Sequence, residues 1–311
     1  MRSATYDHYR AVLIIAMILF HALANYSTIS FNMETFYWVA AGFIFFLGIV
    51  LSEFLKPHPS KILKIANKLL FIFLIFNATN FLNPNFQLKD LILGNQELFS
   101  FEILFPMAIL AYLSIGIYRS KHQKVLASII GLVAIATLVI LDAFHLYTYN
   151  ISMLAHGLIG LSTASLFSLE HQTLKTNPYL TLPASLTIWA LSLYLTNKFG
   201  LSQLLVLTTI ISSYIFTAVS LQPFTKISQT AVSIGKNSLF IYVFHVILIK
   251  LSANLYSTDS LIIILLITLI ILLISQISAI TFNKTTPWLV QLLKSSRPSP
   301  KKNAPKNTGN D

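Results

Sequence analysis

The chain has 311 residues, 55% of them hydrophobic and only 10% charged, with a mean hydropathy of +0.73. Soluble domains carry about 25% charged residues, so these figures argue against a soluble two-domain protein and for one polytopic membrane domain. The chain has no cysteine, which excludes disulfide scaffolds, thiolate nucleophiles and cysteine-ligated zinc. Its net charge of +11 sits in short loops between apolar runs, a topology signal rather than a nucleic-acid surface.

A helix needs about 20 mostly apolar residues to cross a bilayer core. Runs of that kind lie at 11–27, 36–55, 64–83, 101–118, 125–144, 151–169, 179–196, 201–221, 238–257 and 259–282. They predict an all-α integral membrane protein of about ten transmembrane helices. The run at 84–100 is too polar to span and reads as an interfacial loop or half-helix. Residues 1–284 form the expected membrane domain. The remainder, 285–311, is a basic cytoplasmic tail, Pro/Ser/Asn-rich and disordered from about 295.

Orientation follows from the basic residues. With the N-terminus inside and ten alternating spans, all but three of the 21 Lys and Arg residues fall on the inner side. The three outside are Lys89, Lys198 and Lys250. The positive-inside rule therefore puts both termini in the cytoplasm. Ala22-Leu23-Ala24 looks like a signal-peptidase site, but Asp7 and His8 dilute the preceding segment, and it reads as a retained first span.

Ionisable side chains are costly within a bilayer, so each one there is a functional hypothesis. The first span carries Asp7, Arg10 and His21. Asp7 and Arg10 are three apart, a spacing that lets them pair. Eleven helical steps from Arg10 to His21 return to within about 20° of the same face, about 16 Å further along the axis. Arg10 is thus expected at the cytoplasmic entrance and His21 near the midplane, with Asn25 extending the stripe. A neutral imidazole at that depth can take a proton near neutral pH, or can simply hydrogen-bond a neighbouring helix.

In the ninth span Ser238, Tyr242 and His245 share one helical face. They serve either a functional tunnel or ordinary interhelical bonding. Glu102, at the start of the fourth span, and Asp142 beside His145, at the end of the fifth, are further candidates, and His156 stands alone in the sixth. Glu53 reads as a partner for Lys56 or Lys61. Lys61, Lys64 and Lys68 form one basic face, which serves anionic lipid headgroups or a phosphorylated cytoplasmic ligand.

D-x-x-R followed by ten residues and a histidine, here Asp7, Arg10 and His21, resembles the opening signature of the acyltransferase-3 type membrane acyltransferases. It also resembles that of the related heparan-alpha-glucosaminide N-acetyltransferase domain and of glucan succinyltransferases. The second-span text AAGFIFFLGIVLS and the later GKNSLFIYVFHVIL are similar to two further elements of these families, in the same order. The chain departs from the pattern at Ala11, where glycine is usual, and in having no arginine between Arg10 and Arg119.

The resemblance implies transfer of an acyl group, commonly acetyl, from cytoplasmic acyl-CoA to a hydroxyl or amine of a cell-envelope glycan. It casts His21 as general base and counts Arg10, at the other end of the span, as the second catalytic residue. Arg10, Asp7, Lys61, Lys64 and Lys68 would hold the CoA head group. Asn25, Ser238, Tyr242, His245, Glu102 and Asp142 would line the substrate path. The expected co-substrate is acetyl-CoA, with no metal, and the expected partners are membrane lipid and a glycan rather than nucleic acid. The expected location is a cell membrane, such as a bacterial inner membrane. A glycan or lipid-intermediate flippase, or an inactive scaffold of the same fold, are the competing readings.

Overall fold

In the computed structural model the described residues are 4–28, 33–81, 87–94, 101–146, 148–167, 178–200, 202–220, 225–252, 258 and 260–295. The expected disordered segment from about 295 otherwise lies outside them. The described residues form helices α1 (Ala4–Tyr26), α2 (Tyr37–Val50), α3 (Pro59–Phe81), α4 (Leu88–Leu93), α5 (Leu104–Arg119) and α6 (Gln123–Ala143). The chain continues through α7 (Tyr149–Phe167), α8 (Pro178–Phe199), α9 (Gln203–Ser220), α10 (Thr225–Lys236), α11 (Ser238–Ser252) and α12 (Leu261–Ser295). No strand occurs among the described residues; Ser27 and Thr258 form an isolated parallel bridge.

Six helical stretches among the described residues are long and apolar enough to cross a membrane: α1, α6, α8, α9, α12 and Glu34–Glu53, which is α2 continued through the short 3-10 turn before it and into the π turn after it. The pair α10–α11, bent by 73° at Asn237, makes a seventh if taken as one broken span. The architecture is that of a polytopic α-helical membrane protein, and the count falls short of the expected ten for visible reasons. α3 spends its first turns on Lys61, Lys64 and Lys68, α5 has only 16 residues, and α7 carries Asn150, Ser152 and His156.

Two boundaries also move. The segment before Ser238, expected as a loop, is the helix α10. Its sequence spaces Ile227, Ala231 and Ile234 at i, i+4 and i+7, an apolar helical period that its polar average hides. The end of the membrane domain at 284 falls inside α12, which continues to Ser295. The half-helix expected within 84–100 is α4, closed at its start by a reciprocal Gln87–Asp90 capping box and at its end by Gly94 at φ +81°.

Burial separates a central layer from a lipid-facing one. In α2, 61% of the most apolar window is buried, against 17% in α8. Leu132 on α6, Leu180 on α8 and Ile262 on α12 are 67%, 70% and 71% exposed. Apolar surface of that extent is stable only against hydrocarbon. α1 is the hub, packed against α2, α9, α10, α11 and α12. Without a hydrophobic drive between helices in lipid, close backbone approach holds such bundles together. Accordingly a Cβ on Gly48 of α2 would collide with the Gly157 carbonyl of α7, and one on Gly160 with the Phe45 carbonyl. Ser52 and Ser165 hydrogen-bond across the same interface at 2.9 Å.

Candidate functional site at the two ends of the first helix

α1 and α11 run in the same direction. Gly235, just before α11, packs on the backbone of Asp7 so tightly that any Cβ there would overlap its carbonyl oxygen. Further along, His21 faces His245, and at the far end the Tyr26 hydroxyl hydrogen-bonds Ser252. The site therefore has an Asp7 end and a His21 end.

At the Asp7 end the expected pair forms. Arg10 Nη1 lies 3.8 Å from Asp7 Oδ1, with Asp7 buried and Arg10 23% exposed. The flanking tyrosines lock the helix. Tyr6 donates to Glu53 Oε2 at 2.5 Å, and the Tyr9 hydroxyl meets Ser213 Oγ at 2.7 Å and the Ile210 carbonyl at 3.1 Å. Glu53 sits in a π turn, Leu51–Leu55, that ends α2; the wider turn is a local irregularity of the kind that recurs at functional sites. Glu53 thus meets Tyr6, a partner the sequence reading did not name. Ser238 is buried at the first position of α11. Lys61, Lys64 and Lys68 are all exposed, and Lys68 Nζ stands 4.3 Å from the ring centroid of Phe240, near the start of α11.

At the His21 end the two imidazoles lie 5.3 Å apart, centroid to centroid, inclined by 45°. His245 is wholly buried, and its Nδ1 lies 3.0 Å from the Ile241 carbonyl oxygen. A carbonyl only accepts, so Nδ1 carries the proton and Nε2 presents a lone pair. That Nε2 has no hydrogen-bond partner among the described residues. The Tyr242 ring is 5.6 Å from His245 and stands edge-on to Phe101 at 5.5 Å.

Phe101 has φ +59°, a left-handed conformation that costs a non-glycine residue on the order of 1 kcal/mol or more. This strained residue immediately precedes Glu102, whose carboxylate acts electrostatically on Tyr242 and Tyr149. Lys250 acts on both Glu102 and His21. The sequence reading had treated Lys250 only as an outside charge, and no sequence signal identified Phe101 or Tyr149.

Two expected members stand apart from this group. Asn25 is exposed and donates to the His21 carbonyl at 2.8 Å, the usual local bond of a helical Asn to the turn before it. Asp142 accepts from Ser202 Oγ at 2.9 Å and from the Gln203 and Leu204 amides at 2.7 and 3.3 Å. Its carboxylate is the N-terminal cap of α9. His156 is also buried, with Nδ1 at 2.7 Å from the Ser152 carbonyl, and Ser152 in turn bonds Tyr37.

One helix thus carries a guanidinium at one end, where a phosphate could be held by its planar fork. At the other it carries an imidazole among a second imidazole, a phenol, a carboxylate and an ammonium, a set able to bind and deprotonate a hydroxyl or amine. Compared with protein family models, with curated proteins and with solved structures, the chain finds no match.

Proposed function

We propose that this protein is a membrane acyltransferase that moves an acyl group, most simply acetyl, from cytoplasmic acyl-CoA to a hydroxyl or amine of a cell-envelope glycan. The observation that carries the reading is the pairing of His21 with the buried His245 on the helix whose other end holds Asp7 and Arg10. Arg10 receives the CoA phosphates, assisted by the exposed lysine face of α3. His21 takes the proton of the acceptor hydroxyl or amine as that atom bonds to the acyl carbon. The carbon–sulfur bond breaks, and the same proton passes to the departing thiolate. The His245 ring packs against that of His21 with centroids 5.3 Å apart, making His245 a positioning residue. Tyr242, Glu102 and Lys250 line the acceptor's approach.

In this reading the chain crosses the membrane about ten times with both termini in the cytoplasm, in a membrane such as the bacterial inner membrane. The parallel course of α1 and α11 and the distribution of Lys and Arg support that arrangement. Calorimetry with acetyl-CoA on detergent-purified protein tests it. We expect micromolar binding to the wild type that Arg10→Ala abolishes. Absence of binding by the wild type would end the acyl-CoA reading.

One feature favours a second reading, a flippase or transporter. The 73° bend between α10 and α11 is the kind of broken helix that transporters use near their binding sites. Movement of substrate indifferent to acyl-CoA would favour it.

A further inference from the structure

A cavity of about 330 Å³ opens between α10 and α12. Its polar lining is Gln229, Thr230 and Ser233 from α10 and Gln276 from α12. Gln276 Nε2 donates to Ser233 Oγ at 2.9 Å. The amide oxygen of Gln276 is buried and has no hydrogen-bond partner among the described residues. The walls are apolar, from Ile234, Leu272 and Leu273, and Leu273 is 53% exposed at the rim.

Depth decides what such a cavity suits. Asn283 of α12 hydrogen-bonds Asn237, at the bend before α11, at 2.9 Å. Gln276 lies seven residues earlier, about 10 Å deeper along the helix axis. At that depth a phospholipid offers only hydrocarbon, which would leave the Gln276 oxygen unsatisfied at a cost of about 1–3 kcal/mol. Among the described residues no Lys, Arg, Asp or Glu lines the cavity, and a phosphate would be desolvated there without a counter-charge from them. The fitting ligand is a narrow chain with neutral N–H or O–H groups spaced along an apolar frame. The cavity also lies close to the Asp7 end, because Ile234, which lines it, is the neighbour of Gly235, the residue pressed against Asp7.

We infer that this cleft seats the pantetheine arm of the acyl-CoA, with an amide N–H of the arm donating to Gln276 Oε1. The inference rests on the acyl-transfer reading and adds the route by which the arm enters. The protein has no cysteine, so Ser233→Cys introduces a single thiol by a near-isosteric change, and Lys121→Cys provides a control in the α5–α6 turn. The rate of N-ethylmaleimide labelling is then measured in purified protein with acetyl-CoA, S-acetylpantetheine or 3′,5′-ADP.

We expect acetyl-CoA and S-acetylpantetheine each to slow labelling at position 233 at least tenfold, 3′,5′-ADP to leave it unchanged, and the control to respond to none of them. Gln276→Leu should weaken acetyl-CoA binding about tenfold, the scale of one buried hydrogen bond, without altering 3′,5′-ADP affinity. If acetyl-CoA binds the wild type by calorimetry while labelling at 233 is unaffected, the arm lies elsewhere and acyl transfer stands. Equal protection by 3′,5′-ADP, or a thiol at 233 that maleimide never reaches, overturns the assignment too. Failure of acetyl-CoA to bind the wild type overturns both.

Discussion

The two ends of α1 are built on opposite plans. At the Asp7 end Tyr6, Tyr9, Asp7 and Arg10 are all committed to named partners, and a glycine presses the next helix against the backbone. At the His21 end two rings face each other without a hydrogen bond between them, His245 Nε2 offers an unused lone pair, and Phe101 holds a strained backbone. Side chains tied to neighbouring helices fix geometry, whereas a strained backbone persists only where the surrounding structure over-determines it. The Asp7 end anchors the helix, and the His21 end is where the proposed acceptor would bind.

That contrast can be broken most decisively at His21. His21→Ala should lower acyl transfer by about 10²–10⁴-fold, the usual contribution of a general base, with acetyl-CoA binding retained. Wild-type turnover in a single-turnover assay would reduce the histidine pair to interior packing. At the anchoring end Gly235→Ala should destabilise the fold by about 1–3 kcal/mol, the scale of overpacking, and weaken acetyl-CoA binding as Arg10 shifts. Thermal unfolding in detergent beside calorimetry reads both effects. Asp142→Ala should cost about 1–2 kcal/mol through loss of the α9 cap, while acetyl-CoA affinity stays put; a selective loss of transfer would instead return Asp142 to the substrate path. The smallest effect belongs to Asn25→Ala, within about 0.5 kcal/mol in stability and with unchanged turnover.

What could be read from the sequence follows from the range of each interaction. The Asp7–Arg10 pair was legible because three residues on a helix set its geometry. The shared face of Ser238, Tyr242 and His245 was legible for the same reason, but nothing in either segment says that it meets α1 at His21. α10 was missed because Lys226 and Lys236 lower its average hydropathy, although its apolar positions keep a helical period. The cap that Asp142 gives α9 joins residues some sixty positions apart, and no spacing rule reaches that far. Lys250 was counted only for its side of the membrane, a property of the loop rather than of the site. Asn25 was open to better reading, since an Asn late in a helix commonly bonds its own preceding turn.

The position of α1 at the hub has a consequence for biosynthesis. α1 emerges from the ribosome well before α9, α10, α11 and α12, four of the helices that enclose it. At ordinary translation speeds of about 5–20 residues per second, roughly 10 to 45 s separate the synthesis of His21 from that of His245. Through that interval the first helix waits without α11, although Asp7 and Arg10 can already pair with each other. The two histidines thus meet only once α11 is in place, and a nascent chain stalled before α11 would hold most of these helices without the His21–His245 pair.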